Sequence, residues 1–289
     1  MKKILIQLDS DDHPSSFDAI VAYDAGVDIV LQHSGVTPDV VLNLVQGAFF
    51  TRGPKDLASM AVWVGGSKVS IGEDILQKVR DAFFGPFQVS VMLDSNGANT
   101  TAATTIAMLA NKTKLDGKRA VIIGAGPVGL RSATLLIAQG CDVVVSGIPA
   151  EAFGDDRAYR TPSGIKLARD MDLQVAEPED RAALNELLRD AAFALCAGPS
   201  GVQILRREDW VDHPTLEILI DYNAAEPLGI EGTEATDSFE EREGKLVLGA
   251  LGIGEVKMRA HKTCVRRLFE KNDLVLNAEG VYEVAAEVA

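Results

Sequence analysis

The stretch RAVIIGAGPVG, residues 119–129, decides the fold of the second half of this chain. An apolar β-type run leads into three glycines in the G-x-G-x-x-G spacing, Gly124, Gly126 and Gly129, and a helical pattern follows. The first glycine permits a tight turn, the second lets the backbone approach a pyrophosphate, and the third lets helix and strand pack closely. A glycine turn that only packs a strand against a helix is the alternative. Because a second strand follows within about 30 residues, the context favours dinucleotide binding.

The end of that second strand bears on the choice of nicotinamide cofactor. About 20 residues after the glycine loop, an acidic residue favours NAD and an arginine favours NADP. The chain has Ser146 there, in VVVSGIPA, and a serine can donate to a phosphate, while Arg157 and Arg160 follow in the next loop. The sequence therefore favours NADP, or the use of both cofactors, over strict use of NAD.

The stretch CAGPSG, residues 196–201, ends another predicted strand of the same half. Small residues at this position let the backbone pass close to a nicotinamide ribose. An ordinary strand-to-loop turn explains them equally well, so the stretch supports dinucleotide binding only together with the glycine loop.

Short apolar runs alternate with helical patterns along the whole chain. Residues 1–112 contain four strand–helix units, and their strands are continuously apolar, which is typical of a parallel sheet covered on both faces. The polar stretch KTKLDGKR separates this half from residues 113–256, where the alternation restarts. The sequence predicts an α/β fold of two domains, an N-terminal α/β substrate domain with a mainly parallel sheet and a Rossmann-type dinucleotide-binding domain. Periodicity leaves open where the helical patterns within residues 257–289 pack.

The composition excludes several classes of protein. The 289 residues carry a formal charge of −14, which argues against nucleic acid or an anionic membrane as partner, because both attract basic patches. The N-terminal apolar run is too short for a signal peptide, and no apolar stretch approaches the roughly 20 residues of a membrane span, so we expect a cytoplasmic protein. Four histidines in no ligand spacing predict no metal site. Three scattered cysteines are expected to be buried free thiols, Cys141, Cys196 and Cys264.

The stretch MLDSNGANTTAA, residues 92–103, is a candidate binding site for a small molecule. It follows a predicted strand directly, so it lies at the carboxyl edge of the first sheet, where open α/β sheets bind ligands. A single polar side chain would suffice to cap the following helix. Six hydrogen-bonding side chains exceed that need: Asp94, Ser95, Asn96, Asn99, Thr100 and Thr101.

Three further segments carry candidate side chains. The loop LDSDDHPSSFD after the first strand contains Asp9, and FFTRGPKD before the third strand contains Arg52. Loops of acids and amides can recognise heteroaromatic rings that bear N–H and amino groups. Near the C terminus, ALGIGEVKMRAHKTC places Lys257 and His261 one helical turn apart, and a lysine that faces a cleft there can orient a carbonyl or carboxylate. Taken singly, each segment is more often a solvated loop or surface.

The chain resembles the methylene-tetrahydromethanopterin dehydrogenases of methylotrophic bacteria, including the member that also uses tetrahydrofolate. The resemblance covers nearly the whole chain and is carried by FFTRGPKD, FFGPFQVSVMLDSNGANTTAA, GPVGLRSATLL, DYNAAEPLGI, ATD and GALGIGEVKMRAHKTCVRRLFE. It implies oxidation of methylene-tetrahydromethanopterin to the methenyl form by hydride transfer to NADP or NAD, in one-carbon metabolism from formaldehyde. Because the hydride leaves with its electron pair, no strong general base is implied, and catalysis depends on positioning and electrostatics.

The resemblance also implies a domain arrangement and site residues. The substrate domain, residues 1–112, is joined by the C-terminal helices of residues 257–289, and the pterin lies in a cleft between it and the Rossmann domain of residues 113–256. Lys257 and Asp94 are expected to be catalytic. The implied substrate-binding residues are Asp9, Asn96, Asn99, Thr100 and Arg52. The implied cofactor-binding residues are Gly124, Gly126, Pro127, Val128, Gly129, Ser146, Gly147, Ile148, Ala197 and Gly198.

One departure from the family pattern concerns the cofactor. NADP-using relatives have an arginine shortly after the second Rossmann strand, whereas this chain has SGIP, which argues against strict NADP use. A homo-oligomer is expected, with a trimer as the assembly that the family suggests. Two other functions stay open: a methylene-tetrahydrofolate dehydrogenase and a non-catalytic NAD(P)-binding sensor. The polar strand-end loops disfavour the sensor, because such a protein needs no second ligand site.

Overall fold

The computed structural model describes residues 1–153 and 162–289, so Arg157 and Arg160 lie outside the described residues. The strands are β1 (Ile4–Asp9), β2 (Ile29–His33), β3 (Met60–Gly65), β4 (Ser90–Leu93), β5 (Arg119–Ile123), β6 (Asp142–Ser146), β7 (Gln174–Ala176), β8 (Phe193–Cys196), β9 (Ile218–Asp221), β10 (Ser238–Arg242), β11 (Lys245–Gly249) and β12 (Val275–Leu276). The α-helices are α1 (Ser16–Asp24), α2 (Val41–Phe49), α3 (Val69–Asp81), α4 (Ala98–Lys112), α5 (Pro127–Ala138), α6 (Pro162–Asp170), α7 (Arg181–Leu188), α8 (Arg207–Trp210), α9 (Ala250–Arg267) and α10 (Ala278–Val288). None of the described helices combines the length and apolar character that a membrane span needs.

The described chain divides into two compact units. Unit 1 contains residues 1–103 and 257–289, and unit 2 contains residues 104–256. Both divisions fall inside a helix, the first within α4 and the second within α9. The sequence analysis placed the first boundary at the end of α4, after residue 112.

Unit 1 is built on a parallel sheet whose described strands have the order β12-β4-β3-β1-β2. The four predicted strand–helix units are present, and every residue of β3 is buried, as expected for a central strand of a sheet covered on both faces. The two-residue strand β12 was not predicted. It pairs with β4 at the edge of the sheet. The C-terminal segment therefore contributes a strand to the sheet of unit 1 in addition to its helices.

Unit 2 is built on a sheet whose described strands have the order β10-β11-β9-β8-β5-β6-β7. Neighbouring strands are parallel except for β10, which pairs antiparallel with β11. From β5 the chain adds β6 and β7 on one side, and then β8 and β9 on the other, which is the strand order of a Rossmann fold. The predicted α/β fold class with mainly parallel sheets is therefore confirmed.

In each sheet the strand order reverses at one point. The chain passes from β1 outward to β2 and then returns to β3 on the other side of β1. In unit 2 the same reversal occurs between β5 and β8. Ligands of open α/β sheets bind outside the carboxyl ends of the strands at such points. The loops after β1, β3 and β4 in unit 1, and after β5 and β8 in unit 2, are therefore where sites are expected.

Candidate active site

The glycine loop of unit 2 joins β5 to α5 beside the strand-order reversal. Gly124 has a φ of 113°, and a Cβ atom there would lie 2.5 Å from the Ala197 carbonyl oxygen, so only glycine permits this turn. A Cβ atom at Gly129 would lie 2.3 Å from the Gly124 carbonyl oxygen, which shows how closely α5 packs on the loop. A Cβ atom at Gly126 would be 3.7 Å from the Ala197 carbonyl oxygen, so the backbone there is open. These features match the three roles that the spacing predicts.

A cavity of about 600 Å³ opens at this loop, within the size range of small-molecule sites. Helix α5 begins without a side-chain cap, which leaves the N–H groups of its first turn for an anionic ligand. Most of the predicted cofactor residues line the cavity: Gly124, Gly126, Pro127, Val128, Gly147, Ile148, Ala197 and Gly198. An open backbone, a free helix N-terminus and a cavity of this size fit a dinucleotide.

Two predicted cofactor residues do not line the cavity. Gly129 acts through the packing of α5 and not through the cavity surface. Ser146 is fully buried, and its hydroxyl donates a hydrogen bond of 2.7 Å to the Gly147 carbonyl oxygen. Its position does not support the prediction of a phosphate contact, because the side chain of this last strand residue is turned into the protein interior.

Glu177 lies beside the end of β6, where sequence analysis found no acid. The Gly147 N–H donates to the Ala176 carbonyl oxygen at 2.8 Å, and the Glu177 Cγ lies 3.8 Å from the position of a Cβ atom at Gly147. Glu177 lines the cavity and forms an ion pair with Arg169. Glu177 was not predicted, because it follows β7, the strand that pairs with β6, and does not follow β6 itself.

The loop after β9, within DYNAAEPLGI, also contributes to the cavity. The Asp221 carboxylate accepts hydrogen bonds of 2.9 Å from the backbone N–H groups of Asn223 and Ile230, and burial raises its pKa to about 6. Tyr222 lines the cavity, and its hydroxyl lies 2.8 Å from Ser132 Oγ. Sequence analysis assigned this loop no role, although its place after a strand next to β8 was a usable signal.

A second pocket, of about 340 Å³, lies in unit 1 at the carboxyl ends of β1, β3 and β4. Four of the predicted site residues line it, namely Asp9, Asp94, Asn96 and Lys257. Its wall also includes residues to which sequence analysis gave no role, among them Ser15, Phe17, Asp18 and Gly97. The structure therefore brings together the ends of three strands and the lysine of α9.

Asp94 organises the turn between β4 and α4. Its side chain has no solvent exposure, and it accepts hydrogen bonds from Thr100, one of 2.9 Å from the backbone N–H and one of 2.6 Å from the hydroxyl. Asn99 is buried and donates 2.7 Å to the Leu93 carbonyl oxygen. Asn99 and Thr100 therefore hold the turn and do not line the pocket. Asn96, with a φ of 53°, is the exposed side chain of this stretch at the pocket.

Asp9 organises the loop between β1 and α1 in a similar way. Its carboxylate accepts hydrogen bonds from the backbone N–H groups of Asp11 at 2.9 Å and Ser15 at 3.0 Å. The side-chain amide of Gln7 lies 3.5 Å from the same carboxylate. Asp9 is almost completely buried, and its oxygens hold the loop beside the pocket that it lines.

Asp18, in the first turn of α1, has the most perturbed carboxyl of this pocket. Burial, together with the neighbouring Asp94 and Asp9, raises its pKa to about 7 against Ser15 and Lys257, which lower it. A Cβ atom at Gly65 would lie 3.1 Å from Asp18 Oδ2 and 3.4 Å from Asp9 Oδ2, so the glycine leaves space beside both carboxyls. Sequence analysis missed Asp18 because an acid in the first turn of a helix is ordinary.

Lys257 enters the pocket from α9. Its Nζ lies 2.7 Å from the position of a Cβ atom at Gly97, and it forms no ion pair with any residue that the structure describes. One turn further along α9, the His261 ring is buried against Trp63, with its Nε2 3.5 Å from Asp94 Oδ2. Burial lowers the pKa of His261 to about 4, so a neutral imidazole supports the Asp94 side of the pocket.

Arg52 is a further predicted substrate residue that does not line the pocket, and it lies away from it. Its guanidinium donates to the carbonyl oxygens of Ser59 and Lys2. Both acceptors precede a strand, so Arg52 lies at the amino edge of the sheet, opposite the pocket. The prediction rested on a loop that precedes β3, whereas site loops of a parallel sheet follow their strands.

The fold and the two pockets define an α/β protein with a Rossmann-type dinucleotide-binding unit and a separate, acid-lined pocket in its other unit. Comparisons with known proteins identify the family. Residues 16–96 match the family model described as methylene-tetrahydromethanopterin dehydrogenase, N-terminal. The chain therefore belongs to the methylene-tetrahydromethanopterin dehydrogenase family, since two relatives match it over its whole length.

Both of these relatives are from Methylorubrum extorquens. The bifunctional protein MdtA is 42% identical over 100% of this chain and 99% of its own length. The NAD(P)-dependent methylenetetrahydromethanopterin dehydrogenase is 30% identical over 100% of this chain and 99% of its own length. Among solved structures, the N5,N10-methylenetetrahydrofolate dehydrogenase-cyclohydrolase of Trypanosoma brucei superposes with a TM-score of 0.53 at 13% identity, over 93% of this chain and 86% of that one. This last likeness concerns the fold alone.

Proposed function

We propose that the protein oxidises methylene-tetrahydromethanopterin to methenyl-tetrahydromethanopterin, with NADP, or alternatively NAD, as hydride acceptor. The observation that carries this proposal is the presence of two different pockets at strand-order reversals, a glycine-lined cavity in unit 2 and a polar pocket around Lys257 in unit 1. An NAD(P) sensor needs only the first of them. The name of the full-length relative at 30% identity supports both the substrate and the cofactor.

The glycine loop would hold the pyrophosphate of the dinucleotide. Gly126 leaves the backbone open to it, and the first turn of α5 offers N–H groups and the positive end of the helix dipole. Ala197 and Gly198, after β8, line the same cavity without large side chains. The nicotinamide ring supplies the capacity to accept a hydride.

The pocket of unit 1 would bind and orient the pterin. Lys257 presents an ammonium group that can donate hydrogen bonds to a carbonyl or ring nitrogen of the substrate. The surrounding carboxyl groups of Asp9, Asp18 and Asp94 favour the positive charge that develops as the methenyl cation forms. No residue has to remove a proton, because the hydrogen leaves as hydride, so buried carboxylates that are already hydrogen-bonded are suited to this chemistry.

A steady-state comparison of two methylene-pterins with two nicotinamide cofactors tests the proposal. Reduced nicotinamide is expected with methylene-tetrahydromethanopterin, and Lys257→Met is expected to lower turnover by about a hundredfold while dinucleotide affinity stays unchanged. A higher kcat/KM with methylene-tetrahydrofolate would assign that substrate in its place. Binding of NADP without any turnover would establish the sensor.

We also propose that the protein works in the cytoplasm as a homo-oligomer, with a trimer as the expected assembly. Helix α1 exposes Ile20 and Tyr23, which are 60% and 53% accessible and lie three residues apart on one helix face. Neighbouring exposed apolar side chains are available for packing against a second copy of the chain. Light scattering coupled to gel filtration should give a multiple of the 30.8 kDa chain mass, and a monomer at working concentrations would contradict the assembly.

A further inference from the structure

The three carboxyl groups of the unit 1 pocket, those of Asp9, Asp18 and Asp94, differ in how their oxygens are used. Asp94 accepts two hydrogen bonds from Thr100, and Asp9 accepts two from the backbone of its own loop. A carboxylate has about four lone-pair sites, and in both residues two of them are used within the protein. Both side chains therefore hold the loops around the pocket that they line.

Asp18 has no comparable structural function. It is the third residue of α1 after the N-cap Ser15, a position from which an acid normally accepts a hydrogen bond from the N-cap backbone N–H. In this protein the Ser15 N–H is bonded to Asp9 Oδ2 at 3.0 Å instead. Asp9 therefore has the partner that a capping box would give to Asp18, and the Asp18 carboxyl is left facing the pocket.

The surroundings of Asp18 make its carboxylate costly for the fold. Asp9 faces it from the end of β1, Asp94 from the turn after β4, and Lys257 from α9, with the Ser15 hydroxyl on its own loop. Burial and the two aspartates together raise its pKa to about 7, against one lysine and one hydroxyl that lower it. A carboxyl with a perturbed pKa that lines a pocket is a candidate for ligand binding.

We propose that the Asp18 carboxylate binds the pterin by accepting two hydrogen bonds from adjacent N–H groups of its 2-amino-4-oxopyrimidine ring. Two parallel N–H donors match the geometry of one carboxylate. Gly65 keeps the space beside this carboxylate open, because a Cβ atom there would approach Asp18 Oδ2 to 3.1 Å. The inference rests on the proposed function and adds the ring edge that is recognised, which tetrahydromethanopterin and tetrahydrofolate share.

Only the ionised carboxylate accepts both hydrogen bonds, so binding depends on pH. The KM for the methylene-pterin should fall as pH rises through the pKa of about 7 and level off above it. Asp18→Asn replaces one carboxylate oxygen by an amide NH2 group, which would face an N–H donor of the pterin ring and cannot accept its hydrogen bond. It should raise the KM for the pterin by about tenfold or more, abolish this pH dependence, and leave the KM for the nicotinamide cofactor unchanged.

The matched control is Asp24→Asn, at the other end of the same helix, where the carboxylate is half exposed and pairs with Lys262 at 2.8 Å. It removes the same charge and should leave both KM values within about twofold of the parent. An Asp18→Asn protein with the parental pterin KM and pH profile would overturn the inference. An unchanged KM for the nicotinamide cofactor shows that the variant is folded.

A ligand-side measurement keeps the inference testable without any variant. Calorimetry compares the binding of a tetrahydropterin with that of the corresponding tetrahydrolumazine, which has an oxo group in place of the 2-amino group. The parent protein should prefer the pterin by about tenfold, and equal affinities would overturn the inference. Because this measurement needs no turnover, it distinguishes a failure of the Asp18 contact from a failure of the proposed dehydrogenase activity.

Discussion

Lys257 Nζ lies 2.7 Å from the position that a Cβ atom would occupy at Gly97. A real Cβ atom does not tolerate a contact this short, so any side chain at residue 97 displaces the ammonium group. Gly97 belongs to the turn after β4, and Lys257 comes from α9. The glycine of SNGANTT therefore leaves open the space that the ammonium group of the lysine occupies.

Gly97→Ala should consequently reduce turnover without affecting the dinucleotide cavity. We expect kcat to fall by about tenfold or more, because small displacements of a positioning group are costly, while the Kd for NADP stays the same. Since Gly97 has a φ of 63°, the substitution also strains the backbone, and this strain needs its own control.

Gly85→Ala provides that control. Gly85 also belongs to unit 1 and has a φ of 53°, but a Cβ atom there would meet no atom within 4 Å. It should lower the melting temperature about as much as Gly97→Ala and leave kcat unchanged. If the two variants lose activity equally, the effect is backbone strain and Lys257 placement is not the cause.

Gly124→Ala should abolish dinucleotide binding. Its Cβ atom would lie 2.5 Å from the Ala197 carbonyl oxygen, so the loop has to move away from the end of β8. Calorimetry should show a loss of affinity for NADP of about a hundredfold or more, with pterin binding retained. Gly117→Ala is the matched control, because Gly117 has a φ of 78° and open space around it. Retained NADP affinity in Gly124→Ala would show that the loop does not hold the dinucleotide.

Glu177→Gln should shift cofactor preference toward NADP. Glu177 lies beside Gly147, at the strand end where the ribose 2′ position is read, and its carboxylate opposes a 2′-phosphate. The substitution also frees Arg169 from its ion pair. The ratio of the Kd for NAD to that for NADP should rise by about fivefold to tenfold, a change of roughly 1 kcal/mol. Glu179→Gln, in the same cavity, should leave the ratio unchanged, and equal shifts in both variants would indicate only a general charge effect.

His261→Phe should change how stability depends on pH. Burial lowers the pKa of His261 from 6.5 to about 4, so the unfolded chain binds a proton that the folded protein does not. The free energy of unfolding is therefore unaffected by His261 above about pH 6.5, and it decreases progressively as pH falls from 6.5 toward 4. Asp18 has the opposite effect, since its raised pKa makes folding less favourable as pH rises from 3.8 to about 7.

Denaturant unfolding across this range measures both effects. Relative to the parent, His261→Phe should gain stability as pH falls, whereas Asp18→Asn should gain it as pH rises. Parallel pH profiles for parent and His261→Phe would show that His261 is not neutral in the folded protein. If the stability of Asp18→Asn depends on pH in the same way as that of the parent, the pKa of Asp18 is not raised in the folded protein.

The framework of the fold could be predicted from the sequence because its signals are local. The glycine spacing between β5 and α5, and the continuous apolar strands of residues 1–112, are each set within a short window of sequence. The two strands that were missed have weak local signals. β12 has two residues, and β10 is a largely exposed SFEER segment at a sheet edge.

The candidate site was only partly predictable, since hydrogen-bond partners decide each role. The sequence predicts a role for Asp94 at the site, and only the structure shows that its oxygens also accept hydrogen bonds from Thr100. Asp18 looks like an ordinary first-turn acid until the structure shows that Asp9 has taken the Ser15 N–H. The position of Arg52 at the amino edge of the sheet could have been predicted, because its loop precedes β3.

The central claim is direct hydride transfer from the methylene carbon to the nicotinamide ring. It is tested most directly with methylene-tetrahydromethanopterin deuterated at the methylene carbon, followed by mass spectrometry of the reduced nicotinamide cofactor. The account predicts that each reduced cofactor carries one deuterium from the substrate, in solvent of ordinary water. Reduced cofactor without deuterium, or no reduced cofactor while both ligands bind, would contradict it.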